Sequence, residues 1–277
     1  MAEGPWRRAR EAAAAAGVEL RPLTSLEDAD AILQVMVATW GQHQLLPREM
    51  IRALADSGNV PWGAFDADEL VGYVLGWAAV EPEDGLHVHS HMLATLPDRR
   101  SRGVGFALKL AQRAQALDQG INLVRWTFDP LLSKNAYFNI HKLGAICDRF
   151  HRDFYGEMTD TLNEGERSDR LVVRWDLDRE PGPRSGVPSE PVGLRREGAA
   201  ASPRPVRVAD PAGIIATVEI PRDYPDLRER NQRLAAAWRD EVAAAIEACL
   251  ARGMVATGFD GGRSRFDFSA VAEASNG

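Results

Sequence analysis

The chain has 277 residues, of which 45% are hydrophobic and 26% charged, and its formal net charge is −7. These values are typical of globular proteins, and the length predicts one large domain or two smaller ones. The acidic balance gives no long-range attraction to nucleic acid, so any anion site must be local. No apolar run approaches 18 residues, so we expect neither a nucleic acid nor a membrane as a partner.

The N-terminus and the cysteines indicate a compartment. The first 18 residues predict a loose helix that breaks at Gly17, without the apolar core of a secretory signal. The cysteines are only two, Cys147 and Cys249, which excludes a disulfide framework. We therefore expect a cytoplasmic protein.

The first half of the chain alternates helical and strand patterns. Apolar spacing predicts helices at 26–40 and near 47–56. The run "PWGAFDADELVGYVLGWAAV" predicts a hairpin that turns at "DADE". Further strands are predicted at 86–96 and 121–128, separated by a helix at about 103–119.

The second half is interrupted by a change of composition. "SKNAYFNIHKLGA" predicts a short helix capped by Ser133 and ended by Gly144, and two strands follow, "CDRFHRDFYG" and "RLVVRWDL". Residues 179–206 are rich in Pro, Gly, Ser and Arg, which predicts a flexible loop. Beyond it we expect a strand, one long helix at about 226–252 and a final strand, "MVATGF".

These patterns predict four segments. They are an N-terminal helical segment at 1–18, a main domain at 19–178, the flexible loop at 179–206, and a strand–helix–strand extension at 207–277. The extension is too short for a core of its own, so we expect it to pack on the main domain.

The segment "RRSRGVGFALKLAQ", residues 99–112, opens a helix with two glycines. Glycine costs about 1 kcal/mol relative to alanine in a helix, so this start needs a reason. The unpaired N–H groups of a first helical turn attract anions, and Gly103 and Gly105 leave room for a phosphate beside them. On these residues alone, a solvated helix start is an equal alternative.

The surrounding sequence favours the anion site. The run "HMLATLPDRRSRGVGFALKLAQRAQALDQG", then strand 121–128 and "NAYFNIHKLGA", resembles the acyl-CoA-dependent GNAT superfamily of N-acyltransferases. In that superfamily an R-x-x-G-x-G/A motif cradles the pyrophosphate of coenzyme A. The resemblance places the following residues on this motif: Arg100, Ser101, Arg102, Gly103, Val104 and Gly105. Ser101 departs from it, because many members carry glycine there.

Other stretches resemble one branch of predicted GNAT acyltransferases, over about residues 20–260. They are "SHML", "WTFDPL", "NAYFN", "KLGA", "YGEMTD", "LNEGERSDRLVVRW" and "VEIP…LAAAWR". The resemblance implies an α/β (α+β) fold, the GNAT fold: a mixed, mostly antiparallel twisted sheet with splayed central strands, flanked by helices. The pantetheine arm would lie between the splayed strands like an added strand. The residues implied to contact it are Leu93, Ala94, Thr95 and Asn135.

Acyl transfer to an amine needs a base, and the strand at 86–96 offers three histidines. His87, His89 and His91 alternate, so a regular strand would place them on one face. His91 lies nearest the implied thioester and is our candidate base, with His89 as a substrate-binding residue. Histidines that only satisfy a hydrogen bond are the alternative. We expect no metal site, because side chains at i and i+4 on a strand stand about 13 Å apart.

The usual general acid of the superfamily is a tyrosine four residues before the glycine that ends the next helix. Ile140 stands at that position here, so the acid is in doubt. Tyr137, one turn earlier, is the candidate acid, and a ring packed on the sheet is the alternative. The thiolate could also leave unassisted, since a thiol has a pKa near 8.5.

The motif "WTFDPL" suggests an acceptor site. Trp126 and Phe128 could form a wall for the acyl group, and Asp129 could hold the acceptor ammonium, with core aromatics and an Asp-Pro turn as the equal alternative. Arg167 and Arg170 could bind a carboxylate, or they could pair with neighbouring acids.

Together these features predict an N-acyltransferase with acetyl-CoA or succinyl-CoA as co-substrate and no metal. It would act on the amine of a small molecule, such as an amino acid, in a ternary complex. A homodimer is open. The alternative is a GNAT-fold module that binds acyl-CoA without turnover, which the missing tyrosine favours.

Overall fold

The computed structural model describes residues 3–42, 45–156, 166–183, 193–199, 202–207 and 215–270. Contacts divide the chain into two units. Unit 1 contains the described residues up to Trp126, together with Glu166 and 176–178. Unit 2 contains the other described residues.

Unit 1 is built of helices on an open sheet. Its elements are α1 (Glu3–Ala15), β1 (Glu19–Pro22), α2 (Leu26–Trp40), α3 (Arg48–Asp56), β2 (Trp62–Asp66), β3 (Glu69–Glu81), β4 (Gly85–Thr95), α4 (Val104–Asp118) and β5 (Leu123–Phe128). The last two residues of β5 belong to unit 2. The strand order is β1-β2-β3-β4-β5, with antiparallel pairing from β1 to β4 and parallel pairing of β4 with β5.

Alternating side chains of β3 feed two apolar cores. Tyr73 and Leu75 lie with Ile32 of α2 in one of them, whereas Val74 lies with Leu108 of α4 in the other. Successive strand residues point to opposite faces of a sheet. The helices α2 and α4 therefore cover opposite faces of unit 1.

The predicted N-terminal segment is part of unit 1. Helix α1 packs on α4, and Trp6 Nε1 donates to Asp118 Oδ2 over 2.7 Å. Ala9 and Ala13 are buried. The helix is therefore docked rather than loose, and the chain turns after it through Gly17, with φ of +68°.

The described part of unit 2 combines a second sheet region with three α-helices and a π-helix. Its elements are α5 (Ser133–Ala136), continued by a π-helix (Tyr137–Lys142), β6 (Ile146–His151), β7 (Arg170–Asp176), β8 (Gly193–Glu197), β9 (Arg204–Arg207), β10 (Ile215–Glu219), α6 (Tyr224–Arg230), α7 (Gln232–Leu250), β11 (Met254–Asp260) and β12 (Arg265–Ala270). Asp176 of β7 belongs to unit 1. The order is β7-β6-β11-β12-β10-β8-β9, in which β8 and β10 are parallel. The architecture is thus the mixed α/β class that the sequence predicts.

The prediction of a flexible loop over 179–206 is wrong for two stretches. Strands β8 and β9 form an antiparallel pair, and β8 also pairs with β10. Leu194 anchors β8 because its side chain is buried. Residues 184–192 and 200–201 lie outside the described residues.

The C-terminal extension is also more divided than predicted. Asn231, with φ of −155°, separates α6 from α7, and its Oδ1 accepts from Leu234 N over 3.0 Å as an N-cap. The prediction of one long helix is therefore wrong. A further strand, β12, pairs with both β10 and β11.

Candidate functional site

Strand β4 carries a β-bulge at His91. Its register with β3 pairs Met92 with Leu75 and Ser90 with Gly76, so His91 is the extra residue. A Cβ on Gly76 would lie 2.5 Å from His89 O, which explains why glycine faces this part of the strand. Bulges re-aim side chains and are frequent beside active sites. The local backbone therefore sets the direction of His91.

Strand β4 pairs with β5 over only part of its length. The parallel pairs are Val88 with Val124 and His89 with Arg125, whereas β4 continues to Thr95 against β3. This is the splay of central strands that the GNAT resemblance implies. The stretch beyond the pairs contains Leu93, Ala94 and Thr95, whose contact with a pantetheine arm stays a prediction.

Two of the three histidines share a face with Trp77. The ring centroids of His89 and His91 lie 4.9 and 5.0 Å from that of Trp77, and 5.7 Å from each other. His87 is buried, and its Nδ1 lies 3.0 Å from Gly85 O. His87 therefore has the structural environment of a histidine that satisfies a hydrogen bond.

Burial keeps this histidine pair neutral at neutral pH. Desolvation, reinforced by the positive charges of His91, His87 and Lys109, lowers the pKa of His89 to about 4. Desolvation also lowers the pKa of His91. His91 remains exposed at the surface of β4. A neutral, accessible imidazole can accept a proton.

The start of α4 has the geometry of an anion site. Gly103 stands at the N-cap with φ of +95°, a left-handed conformation that favours glycine, and gives no side-chain cap. The first amides bonded within the helix are those of Phe106 and Ala107, which donate to Gly103 O over 3.0 and 3.1 Å. The N–H groups of Val104 and Gly105 precede them, as an anion site requires.

Two further features distinguish the residues of this motif. Ser101 has φ of +63°, so the position where many GNAT members carry glycine is left-handed here as well. Arg99 pairs with Asp66 over 2.6 Å and with Asp98 over 3.3 Å. Arg100 and Arg102 are exposed, and Arg100 Nε lies 3.4 Å from Thr95 O. The two exposed arginines are the better placed to meet a phosphate.

Sequence reasoning missed Lys109. This lysine of α4 is 2% exposed, and its Nζ donates to Ser90 Oγ over 2.7 Å and to Gln112 Oε1 over 3.2 Å. Burial lowers the pKa of Lys109 to about 7. The sequence gives one signal that this lysine is unusual. An exposed helical lysine often pairs with an acid four residues away, but Gly105 and Arg113 stand at those two positions.

Trp126 is buried beneath this lysine. Its side chain is 7% exposed, and Lys109 Nζ lies 3.8 Å from the ring centroid. Since Val124 and Trp126 alternate with Arg125 along β5, they point to the other face from it. A role of Trp126 in acyl binding stays a prediction.

The other predicted substrate residues fall in unit 2. Phe128 is buried, and Asp129 is 7% exposed. Asp129 Oδ2 accepts from Arg239 Nη2 over 2.9 Å, and its Oδ1 accepts from Leu131 N over 2.9 Å. The carboxylate thus already has a cation, whereas the prediction assigned it an acceptor ammonium.

The candidate acid lies on an unusual helix. Tyr137 opens the π-helix that follows α5 and stacks on His141 with ring centroids 4.6 Å apart. Short π-helical segments are frequent at functional sites. Asn135, two residues earlier in α5, is exposed, and Ile140 is buried. Leu132 rather than Ser133 is the N-cap of α5, and Ser133 Oγ bonds Ser264 Oγ.

The two arginines considered for carboxylate binding have partners of their own. Arg167 binds Asp169 through two nitrogens, over 2.6 and 2.8 Å, and Asp240 over 2.9 Å. Arg170 is buried and donates to Asp169 O. Arg167 therefore matches the alternative of pairing with acids, whereas the bond of Arg170 is to a backbone carbonyl.

Two features are absent from the part of the chain that the structure describes. None of their helices is long and apolar enough to cross a membrane. Within the same residues, no three His, Cys, Asp or Glu side chains are grouped to hold a metal ion.

Comparison with known proteins agrees with this geometry. Residues 27–143 match the model of the acetyltransferase (GNAT) family. A mycothiol acetyltransferase of Pseudarthrobacter chlorophenolicus is 31% identical over 123 residues, which cover 41% of this chain and 38% of that protein.

Two solved structures are similar at lower identity. An acetyltransferase of the GNAT family from Streptococcus pneumoniae is 15% identical with a TM-score of 0.46, over 57% of this chain and 98% of its own. Chaetomium thermophilum Naa20, in complex with a bisubstrate analogue, is 18% identical with a TM-score of 0.46, over 61% of this chain and 96% of its own. The family match contains both the bulge of β4 and the start of α4, so residues 27–143 are similar to the acetyltransferase (GNAT) family in the part of the chain that holds the candidate site.

Proposed function

We propose that the chain is an acyl-CoA-dependent N-acyltransferase that moves an acetyl group from acetyl-CoA to the amine of a small molecule. The observation that carries this proposal is the bulge at His91, which lies in β4 just beyond the last residue that pairs with β5. The left-handed, uncapped start of α4 supports it with a place for a phosphate.

The residues present fit coenzyme A. The first N–H groups of α4, those of Val104 and Gly105, and the exposed Arg100 and Arg102 suit a pyrophosphate. A Cβ on Gly105 would lie 3.6 Å from Leu93 Cδ2, so a side chain there would fill space beside the strand. Bound acyl-CoA supplies a thioester carbonyl as the electrophile and a thiol as the leaving group.

His91 is the base of the proposed reaction. Its neutral imidazole accepts the proton of the attacking amine as the C–N bond forms and the C–S bond breaks. A backbone N–H near Leu93 or Ala94 donates to the carbonyl oxygen, which gains negative charge. His89, neutral and beside His91, contacts the acceptor. Protonation of the departing thiolate falls to Tyr137 or to solvent.

Acetyl is the better-supported donor. A succinyl group would need a cation for its second carboxylate. Of the arginines considered for that role, Arg167 already binds the carboxylate of Asp169, and Arg170 is buried with a bond to the Asp169 backbone carbonyl. A small acceptor agrees with the relative named mycothiol acetyltransferase, although the match spans only 38% of its length. An amino acid or a related amine as acceptor, a cytoplasmic location and a homodimer complete the proposal.

A second candidate is an acyl-CoA-binding module without turnover. It is favoured by Ile140, a buried aliphatic side chain at the usual tyrosine position. Thiol release from acetyl-CoA and succinyl-CoA, measured against a panel of amino acids and amines, separates the two. Release with an acceptor supports the transferase. Coenzyme A binding without release on any acceptor supports the module.

A further inference from the structure

Lys109 is a buried cation that the proposed reaction does not use. It lies on α4, below the face of β4 opposite His89, and its side chain is 2% exposed. Among the described residues, no carboxylate lies within ion-pair distance of its Nζ, which contacts Ser90, Gln112 and the ring of Trp126. Burying an unpaired ammonium is costly, so its presence needs a reason.

The contacts of Lys109 converge on the bulge. Ser90, which accepts from Nζ over 2.7 Å, immediately precedes the bulged His91. The Nζ of Lys109 also lies 3.8 Å from the ring centroid of Trp126 on β5. Lys109 thus connects α4, β5 and the backbone that directs His91.

We propose that Lys109 is a positioning residue for acyl transfer, which fixes the bulge of β4 through Ser90 and so aims His91. This inference rests on the proposed function. It assigns Lys109 no contact with substrate, because the lysine and His89 occupy opposite faces of the strand.

The surrounding charges define what its removal should change. Three neighbouring charges act on His89, those of His87 and His91 on β4 and that of Lys109 on α4 behind the strand, and all three lower its pKa. Arg125, its pairing partner on β5, is bound to Asp84 over 2.6 Å. Removing the Lys109 charge should therefore raise the pKa of His89, which confirms that the charge stands beside this strand, while the direction of His91 reports the positioning role.

The test compares Lys109→Met with Ser90→Ala and their double variant. We expect Lys109→Met to lower kcat about tenfold or more and to change KM for acetyl-CoA by no more than about twofold. Such a pattern is expected when a substitution removes stabilisation of the transition state but not binding of the substrate. Ser90→Ala should give a similar loss. Because both act through one hydrogen bond, the double variant should be no worse than the single ones.

Arg113→Met is the matched control. Arg113 is a buried cation of the same helix, but its Nη2 donates to Leu177 O over 2.7 Å instead of to β4. Its kcat should stay near that of the parent. Unchanged kcat in Lys109→Met, equal loss in Arg113→Met, or additive losses in the double variant would overturn the inference.

A measurement that does not depend on catalysis separates this inference from the proposed function. In NMR titrations, Lys109→Met should raise the pKa of His89, and both Lys109→Met and Ser90→Ala should shift the ring resonances of His91. Arg113→Met should do neither. If the parent releases no thiol but the His91 resonances shift in both variants, the proposed function fails, whereas the role of Lys109 in setting the direction of His91 stands. If the shifts are absent, the positioning role fails whatever the activity.

Discussion

The imidazole of His91 lies 5.0 Å from the indole ring of Trp77, centroid to centroid, at the bulge of β4. Desolvation in this environment lowers the pKa of His91 below its usual value of 6.5. A histidine base acts in its neutral form, so activity should rise with pH through this lowered pKa and be complete by neutral pH. The profile of kcat/KM against pH should show an acidic limb with a midpoint below 6.5.

Replacement of His91 tests the same assignment. His91→Ala should lower kcat about 100-fold, as expected for loss of a general base, and should remove the acidic limb. Affinity for coenzyme A, measured by calorimetry, should change little. His151→Ala, at an exposed position of β6, is the control and should match the parent. If His91→Ala keeps the maximum rate of the parent and the acidic limb of its pH profile, His91 is not the base.

Gly103 and Gly105 should respond differently to alanine. Gly103 has φ of +95°, so Gly103→Ala should cost about 1–2 kcal/mol of stability and weaken coenzyme A binding. Gly105 has room for a Cβ at 3.6 Å from Leu93, so Gly105→Ala should keep its stability and weaken only binding. Urea unfolding and calorimetry measure the two effects. Full affinity in both variants would contradict the phosphate site.

The arginines of the motif should differ in their contribution to coenzyme A binding, because only some of them already pair with acids. Arg102 is exposed, whereas Arg99 already pairs with Asp66 and Asp98. Arg102→Ala should weaken coenzyme A binding about tenfold, equivalent to about 1.4 kcal/mol, and the loss should shrink at high salt. Arg99→Ala should bind coenzyme A nearly as the parent does. The reverse order of effects would move the anion site toward Arg99.

Asp129 should behave as a structural residue. Its buried ion pair with Arg239 predicts that Asp129→Asn lowers the free energy of unfolding by about 3 kcal/mol, because a buried charge loses its partner. Replacing both residues, as Asp129→Asn with Arg239→Met, should recover much of that loss. If Asp129→Asn instead leaves stability unchanged and raises KM for the amine, Asp129 binds the acceptor as the sequence suggested.

Patterns local in sequence predicted much of unit 1. Helix α4 and strands β3 and β4 agree with their predictions within about two residues, because period-two and period-3.6 apolar patterns report which face is buried. The motif at 99–105 likewise indicated the start of α4. These features depend on neighbours along the chain.

The site details depend on partners distant in sequence. The bulge at His91 arises from pairing with Leu75 and Gly76, and the strand itself shows only alternation. Lys109 lies between leucines, and its burial follows from Ser90 and Trp126. Asn231 divides the C-terminal helix by capping, which apolar spacing alone did not show.

The most direct measurement is thiol release from acetyl-CoA by the parent chain and by His91→Ala, with a panel of small amines at pH 5 to 8. With His91 as the base, the parent should show acceptor-dependent release that rises with pH to a plateau by neutral pH, and the variant should lose about 100-fold. Tight coenzyme A binding with no acceptor-dependent release, or equal release by both proteins, would contradict it.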